Sequence, residues 1–356
     1  MTEYCIIFAI IFLIQFRNVS TDKGYLIRTV LSFCILFLYG GLRTNCNDFD
    51  VYESFYDVAY KYGANAAIDY NDHIEYGWAV ISHLFPSFRL LIMAQTFLFC
   101  SIYAYLTYKY IPSKYSWIII LMLFITGDKS VMFMCSAMRN SVAISILLLS
   151  FPFMLKRKWF IVIALVLAAS TIHTSALIFI PVVGIIAFLT HRTVQMHKVE
   201  LYIWVALLVS LVVFPINTLI EPFSVLFMQE DLFRYYDVIS AQHTSAGIAA
   251  TYGSVLLSVG VLYYTYKYAR TIEENLIGRL SLLMTYSYLL GTLNVRVVQN
   301  YLMFFVLFMA LICKCRMSRA IKIVYFALVL IFFGYALFVV ELNNQYCHFD
   351  SFETVI

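Results

Sequence analysis

Apolar residues fall in long blocks separated by short polar breaks. About twelve blocks, centred on 4–16, 26–42, 88–108, 116–136, 138–155, 159–172, 174–190, 200–219, 248–266, 277–293, 297–313 and 321–340, approach the roughly 17–25 apolar residues of a spanning helix. The clearest pair is 138–155 and 159–172, divided by the basic turn Lys156-Arg157-Lys158. As a helix, the first of these is about 27 Å long at about 1.5 Å per residue. That crosses a hydrocarbon core of about 30 Å with little to spare. Two longer polar stretches, 43–87 and 221–247, interrupt the series. In the first, Tyr52, Phe55, Tyr56, Val58 and Tyr60 suggest one short amphipathic helix, and Trp78, Val80, Ile81, Leu84 and Phe85 a second, both lying at the membrane interface. The pattern predicts an all-α polytopic membrane protein, residues 1–356 forming one domain without internal repeat or linker.

Charge orients this arrangement. Of the 24 lysines and arginines, seven (Arg43, Lys61, Arg89, Lys129, Arg139, Arg234, Arg296) fall on one side of the alternating blocks and the rest on the other. The positive-inside rule makes the richer side cytoplasmic, so both termini and both long polar stretches face outward. Glu3 precedes the first block, with no basic leader and no small-residue cleavage site, which reads as a retained helix. With 63% hydrophobic residues, mean hydropathy +0.84 and 12% charged residues, the chain departs far from the about 25% charge of soluble domains. The net charge of +4 is thus a topology signal and implies no nucleic acid. Cys46 and Cys347 both fall outside, where a disulfide is permitted but not demanded by spacing. The C-x-C pair Cys313 and Cys315 lacks the further ligands of a zinc site.

Candidate chemistry gathers on the outer side. Arg139 and Asn140 open the fifth block directly after a break at Gly127-Asp128-Lys129. A helix start with a guanidinium favours a phosphate, although an arginine snorkelling to lipid headgroups would leave the same trace. His173 lies between two apolar blocks. It is either a satisfied polar group at a helix junction or a proton acceptor suited to neutral pH. Arg234 stands beside Tyr235 and Tyr236, and Arg296 opens the eleventh block with Asn300 and Tyr301 a turn below. Most acids of 43–87 read as a solvated face; Asp48 and Glu75 are kept as candidates.

These pieces, in this order, resemble the EpsG/Wzy-like family of bacterial polysaccharide polymerases along most of the chain. The resemblance is carried by Arg43 with Asp48 and Tyr52, by Glu75-Tyr76-Gly77, and by Met138-Arg139-Asn140-Ser141-Val142-Ala143. Ile172-His173-Thr174-Ser175-Ala176 and the late Arg296 with Tyr301 complete it. Asn140 stands where the family usually has Gln, and Asn45-Cys46-Asn47 replaces its usual Gly-Thr.

The resemblance implies a GT-C-like fold in the bacterial inner membrane and an enzyme of O-antigen or related glycans. Such an enzyme transfers the growing chain from undecaprenyl diphosphate to a new lipid-linked repeat unit at the periplasmic face, with a flippase and a chain-length regulator as partners. His173 is expected as general base, with Glu75 and Asp48 as alternatives that instead orient sugar or arginines. Arg139 and Arg296, then Arg43 and Arg234, with Asn140 and Tyr301, are expected at the diphosphate. Arginines supply the charge, so neither cofactor nor metal is expected, and direct attack inverts the anomeric centre. An O-antigen ligase uses the same donor chemistry. A flippase would show paired halves, which the chain lacks, and an acyltransferase would meet its donor from the cytoplasmic side.

Overall fold

The computed structural model describes residues 2–45, 48–71, 74–126, 130–192, 195–213, 245–289, 294–335 and 353–354. The chain divides into two compact units, Met1–Gly184 with Phe333–Ile356, and Ile185–Phe332.

The first unit holds α1 (Thr2–Phe16), α2 (Asp22–Gly41), β1 (Arg43–Asn45), α3 (Phe49–Tyr62), α4 (Ala64–Tyr70), α5 (Tyr76–Leu84) and α6 (Phe88–Tyr110). It continues through α7 (Ser116–Ile125), α8 (Val131–Ser136), α9 (Met138–Leu149), α10 (Phe151–Leu155) and α11 (Trp159–Ile172). A 3₁₀ segment, Thr174–Ile178, then leads into α12 (Phe179–Arg192). A two-residue strand β2 (Glu353–Thr354) pairs antiparallel with β1.

Polar side chains fasten the helices at both ends. Arg28 of α2 donates to the Arg17 carbonyl, to Ser113 O at 2.8 Å and to Ser116 Oγ at 2.6 Å. Tyr25 donates to the carbonyls of Thr107 and Ile111. The ends of α1 and α6 and the starts of α2 and α7 therefore share one side. On the other side, Tyr4 at the start of α1 donates to Phe124 O at the end of α7 (3.2 Å). This is the alternation that the charge pattern predicts. Buried Thr29, Ser32, Thr96, Ser141 and Ser145 keep the interfaces narrow, as small polar residues do between membrane helices.

The second unit contains α13 (Lys198–Val213), α14 (Ser245–Lys267), α15 (Ile272–Ser287) and α16 (Asn294–Lys314), with most of α17 (Arg319–Tyr335). The capping box of Thr271 and Glu274 starts α15. A Cβ on Gly260 of α14 would lie 1.9 Å from the Tyr325 ring, so the glycine is what admits that ring from α17. Glu200 of α13 and Arg279 of α15 form a buried bidentate pair at 2.7 and 3.0 Å, extended by Trp204 Nε1 on Glu200 and by Tyr286 on the Trp204 carbonyl.

The protein is an α-helical membrane protein, and some of its apolar blocks are divided between shorter helices. Among the described residues three are long and apolar enough to cross a membrane: Asp22–Gly41, Phe88–Tyr110 and Met138–Leu155. Shorter apolar helices cover Tyr4–Phe16, Ser113–Ile125, Trp159–Ile172, Thr174–Ala187 and Tyr301–Lys314. The block 116–136 is broken between α7 and α8. The extended backbone at His173 (φ −152°, ψ 116°) ends α11 at Ile172, and the next block opens as a 3₁₀ segment before α12 begins at Phe179. The short helices expected within 43–87 are present as α3 and α5. They bury Phe55, Tyr56, Trp78 and Ala79 and leave acids such as Asp50, Glu53 and Asp57 outward.

Candidate active site

Glu75 is the centre of the polar cluster on the side where α9 starts and α11 ends. It precedes α5 as its N-cap, in extended conformation. Its Oε2 accepts from Arg139 at 2.6 Å. Its Oε1 bonds His173 Nδ1 at 2.9 Å and also accepts from the Thr174 N–H (2.9 Å) and hydroxyl (2.8 Å). Side-chain exposures of 20%, 13% and 11% for Arg139, Glu75 and His173 place the cluster just beneath the surface. Thr174 is the exposed member.

Local sequence explains how these groups meet. The backbone leaves the helix at His173, so that its ring and the next N–H both turn to one acceptor. Arg139 is the second residue of α9, immediately after a break at Ala137 (φ −102°, ψ 67°). The close seat of α5 on α11 depends on Gly77, where a Cβ would lie 2.6 Å from the Thr171 carbonyl oxygen.

Burial opposes the charge on Glu75. The hydrogen bond to His173, the Arg139 charge and the Thr174 N–H outweigh it, and the carboxyl is held down at about 2. Behind the cluster Tyr52 of α3 hydrogen bonds the Arg139 guanidinium. Its ring meets Trp78 edge-on at 5.9 Å. Burial pushes the Tyr52 phenol up; Arg139 opposes this and the Asp48 charge adds to it. Asp48 itself is the N-cap of α3 in left-handed conformation (φ 62°), one turn before Tyr52.

Four side chains thus form one chain of contacts, Tyr52–Arg139–Glu75–His173, with the Asp48 charge acting on Tyr52, and Thr174 closes it. A carboxylate bonding imidazole Nδ1 fixes the tautomer with the proton on Nδ1 and the lone pair on Nε2. The arrangement provides an oriented base beside a guanidinium. Thr174 does not stand out as a site residue in the sequence, because a hydroxyl among apolar residues carries no signal of its own, and Tyr52 is marked only through the Arg43, Asp48 and Tyr52 element of the resemblance. Position 174 is only the variable place in the His-x-Ser-Ala pattern.

The other expected site residues are placed differently. Asn140 is buried beside Arg139. Arg43 is completely buried and donates to Gly40 O, Thr96 Oγ1 and Gln95 Oε1. Tyr301 is buried in α16, and Arg296 stands in the first turn of the same helix, both in the second unit. Arg234 with most of 221–247, and Cys46 and Cys347, lie outside the described residues.

No curated protein and no solved structure matches the chain. The sequence model of the EpsG family matches residues 26–349, which include every member of the cluster just described. The chain belongs to the EpsG family.

Proposed function

We propose that this protein is a glycan repeat-unit polymerase of the bacterial cytoplasmic membrane. It transfers a growing oligosaccharide from undecaprenyl diphosphate to a hydroxyl of a new lipid-linked repeat unit, at the outer membrane face. Membership of the EpsG family supports a polysaccharide-polymerase-like role. The observation that carries the reading is the single carboxylate joining a histidine and an arginine, Glu75 with His173 and Arg139.

His173 Nε2 takes the proton of the acceptor hydroxyl as that oxygen attacks the anomeric carbon. The bond from that carbon to the diphosphate oxygen breaks, and the diphosphate leaves with the electron pair. A positioned base typically contributes about 10²–10⁴-fold. A guanidinium has five N–H donors in a planar fork, so Arg139 can hold Glu75 and a phosphate oxygen together. Stabilising the departing charge in this way is worth about 3–4 kcal/mol per well-placed donor. A carboxyl near 2 is too weak a base for a sugar hydroxyl, so Glu75 orients rather than abstracts. Attack without a covalent intermediate inverts the anomeric centre.

The test is the length ladder of surface glycan in a strain carrying His173→Ala or Arg139→Ala, with membrane levels matched. Collapse to a single repeat unit on the lipid core is the expected result, because export and ligation survive while extension stops. A full ladder would remove both residues from the chemistry. Complete loss of surface glycan would point to ligation or export and overturn the polymerase reading.

A further inference from the structure

Arg139 owes its place to a break in the backbone, and one side chain spans that break. Gln95, two turns into α6, is 3% exposed. Its Nε2 donates to Met134 O in the last turn of α8 (2.7 Å) and to Ser141 Oγ in the first turn of α9 (3.0 Å). Carbonyls in the last turn of a helix lack an in-helix donor, and Gln95 supplies one. Its Oε1 accepts from Arg43 at 3.2 Å. Turning the amide over would set oxygen against a carbonyl and NH₂ against a guanidinium, so the partners permit one orientation only.

We propose that Gln95, held by Arg43, is the positioning residue for Arg139. It fixes α8 and α9 on either side of Ala137, and so sets where the guanidinium two residues on meets Glu75. Arg43 thereby acts through the protein rather than on a phosphate. The part Arg139 plays rests on the polymerase reading; its placement by Gln95 does not.

The experiment uses the full-length protein in detergent: wild type, Gln95→Met, Arg139→Lys and the double variant, extending an undecaprenyl-diphosphate-linked repeat unit. Gln95→Met is expected to lower kcat by about 10²-fold, as a misplacement of roughly 1 Å does. In the Arg139→Lys background it should lower the residual rate far less. Equal losses in both backgrounds, or no loss in Gln95→Met alone, would overturn the proposal. A second cycle needs no reaction and decides the matter if wild type extends nothing, which would be a failure of the polymerase reading alone. The fall in melting temperature caused by Glu75→Gln should shrink when Gln95 is already Met, because the pair it breaks is already loosened. Additive shifts would overturn the role of Gln95.

Discussion

Glu75 takes three donors on one oxygen and a guanidinium on the other, and each favours its ionised form. A carboxyl depressed in this way from 4.5 to about 2 contributes stability in full above pH 4.5, and loses it as pH falls toward 2. The groups facing it are Arg139, His173 and Thr174, with Tyr52 and Asp48 behind Arg139. Melting curves of the purified protein and of Glu75→Gln should therefore stand apart at pH 5 and converge between 4.5 and 2. A separation unchanged down to pH 2 would contradict the depressed pKa. Glu75, inside a polar stretch, is legible in the sequence through the Glu75-Tyr76-Gly77 element of the family resemblance, whereas Arg139 and His173 are legible because an ionisable group at the edge of an apolar block needs a specific reason to be there. Arg43 looks identical by that criterion. What separates them is burial and the amide of Gln95, and neither leaves a mark in a string of residues.

Between helices, the site is a matter of where they stop. The short helices α3 and α5 are readable from their aromatic faces. The interruption expected at Gly127-Asp128-Lys129 lies outside the described residues, while α7 stops at Ile125 and α8 starts at Val131. Hydropathy averages over such breaks, so it reports blocks of spanning length where the chain has made two pieces with a polar joint. Trp159–Ile172 is about 21 Å long at about 1.5 Å per residue, short for a bilayer until the 3₁₀ segment after His173 is added. The joints at 137 and 173 deliver Arg139 and His173. Gly77 then sets the distance from α5 to α11. Gly77→Ala is expected to push Glu75 out of reach, abolishing chain extension while the protein still inserts. Activity near wild type in that variant would show that α5 can move without loss. The Thr171 hydroxyl at 2.5 Å and the Thr171 carbonyl at 2.6 Å both obstruct, so no side-chain replacement at 171 alone should restore the Gly77→Ala variant, and suppressors should arise elsewhere on α5 or α11.

Across the whole molecule, the alternation of charge foretold which helix ends meet in the first unit, since the rule depends on the sign of whole loops and not on exact boundaries. It did not foretell the pair in the second unit. Arg279 reads as one more basic residue of the inner side, yet it is wholly buried against Glu200. Removing one member leaves the other charge buried, a cost of about 3–5 kcal/mol, whereas replacing both with apolar side chains avoids it. Arg279→Met should thus melt well below wild type, and Arg279→Met with Glu200→Met should recover much of the loss. A double variant as weak as the sum of the two singles would deny the pairing.

The cluster at Glu75 also has a schedule. Its carboxylate precedes His173 by 98 residues in the chain. At synthesis rates of about 5–20 residues per second that is a wait of about 5–20 s on the ribosome. For that interval Glu75 has been made and its partners at 173 and 174 have not, so the segment that carries it waits without them until the turn at Lys156–Lys158 has sent the next helix back. The cluster at Glu75 is therefore closed only when the hairpin that carries His173 and Thr174 arrives.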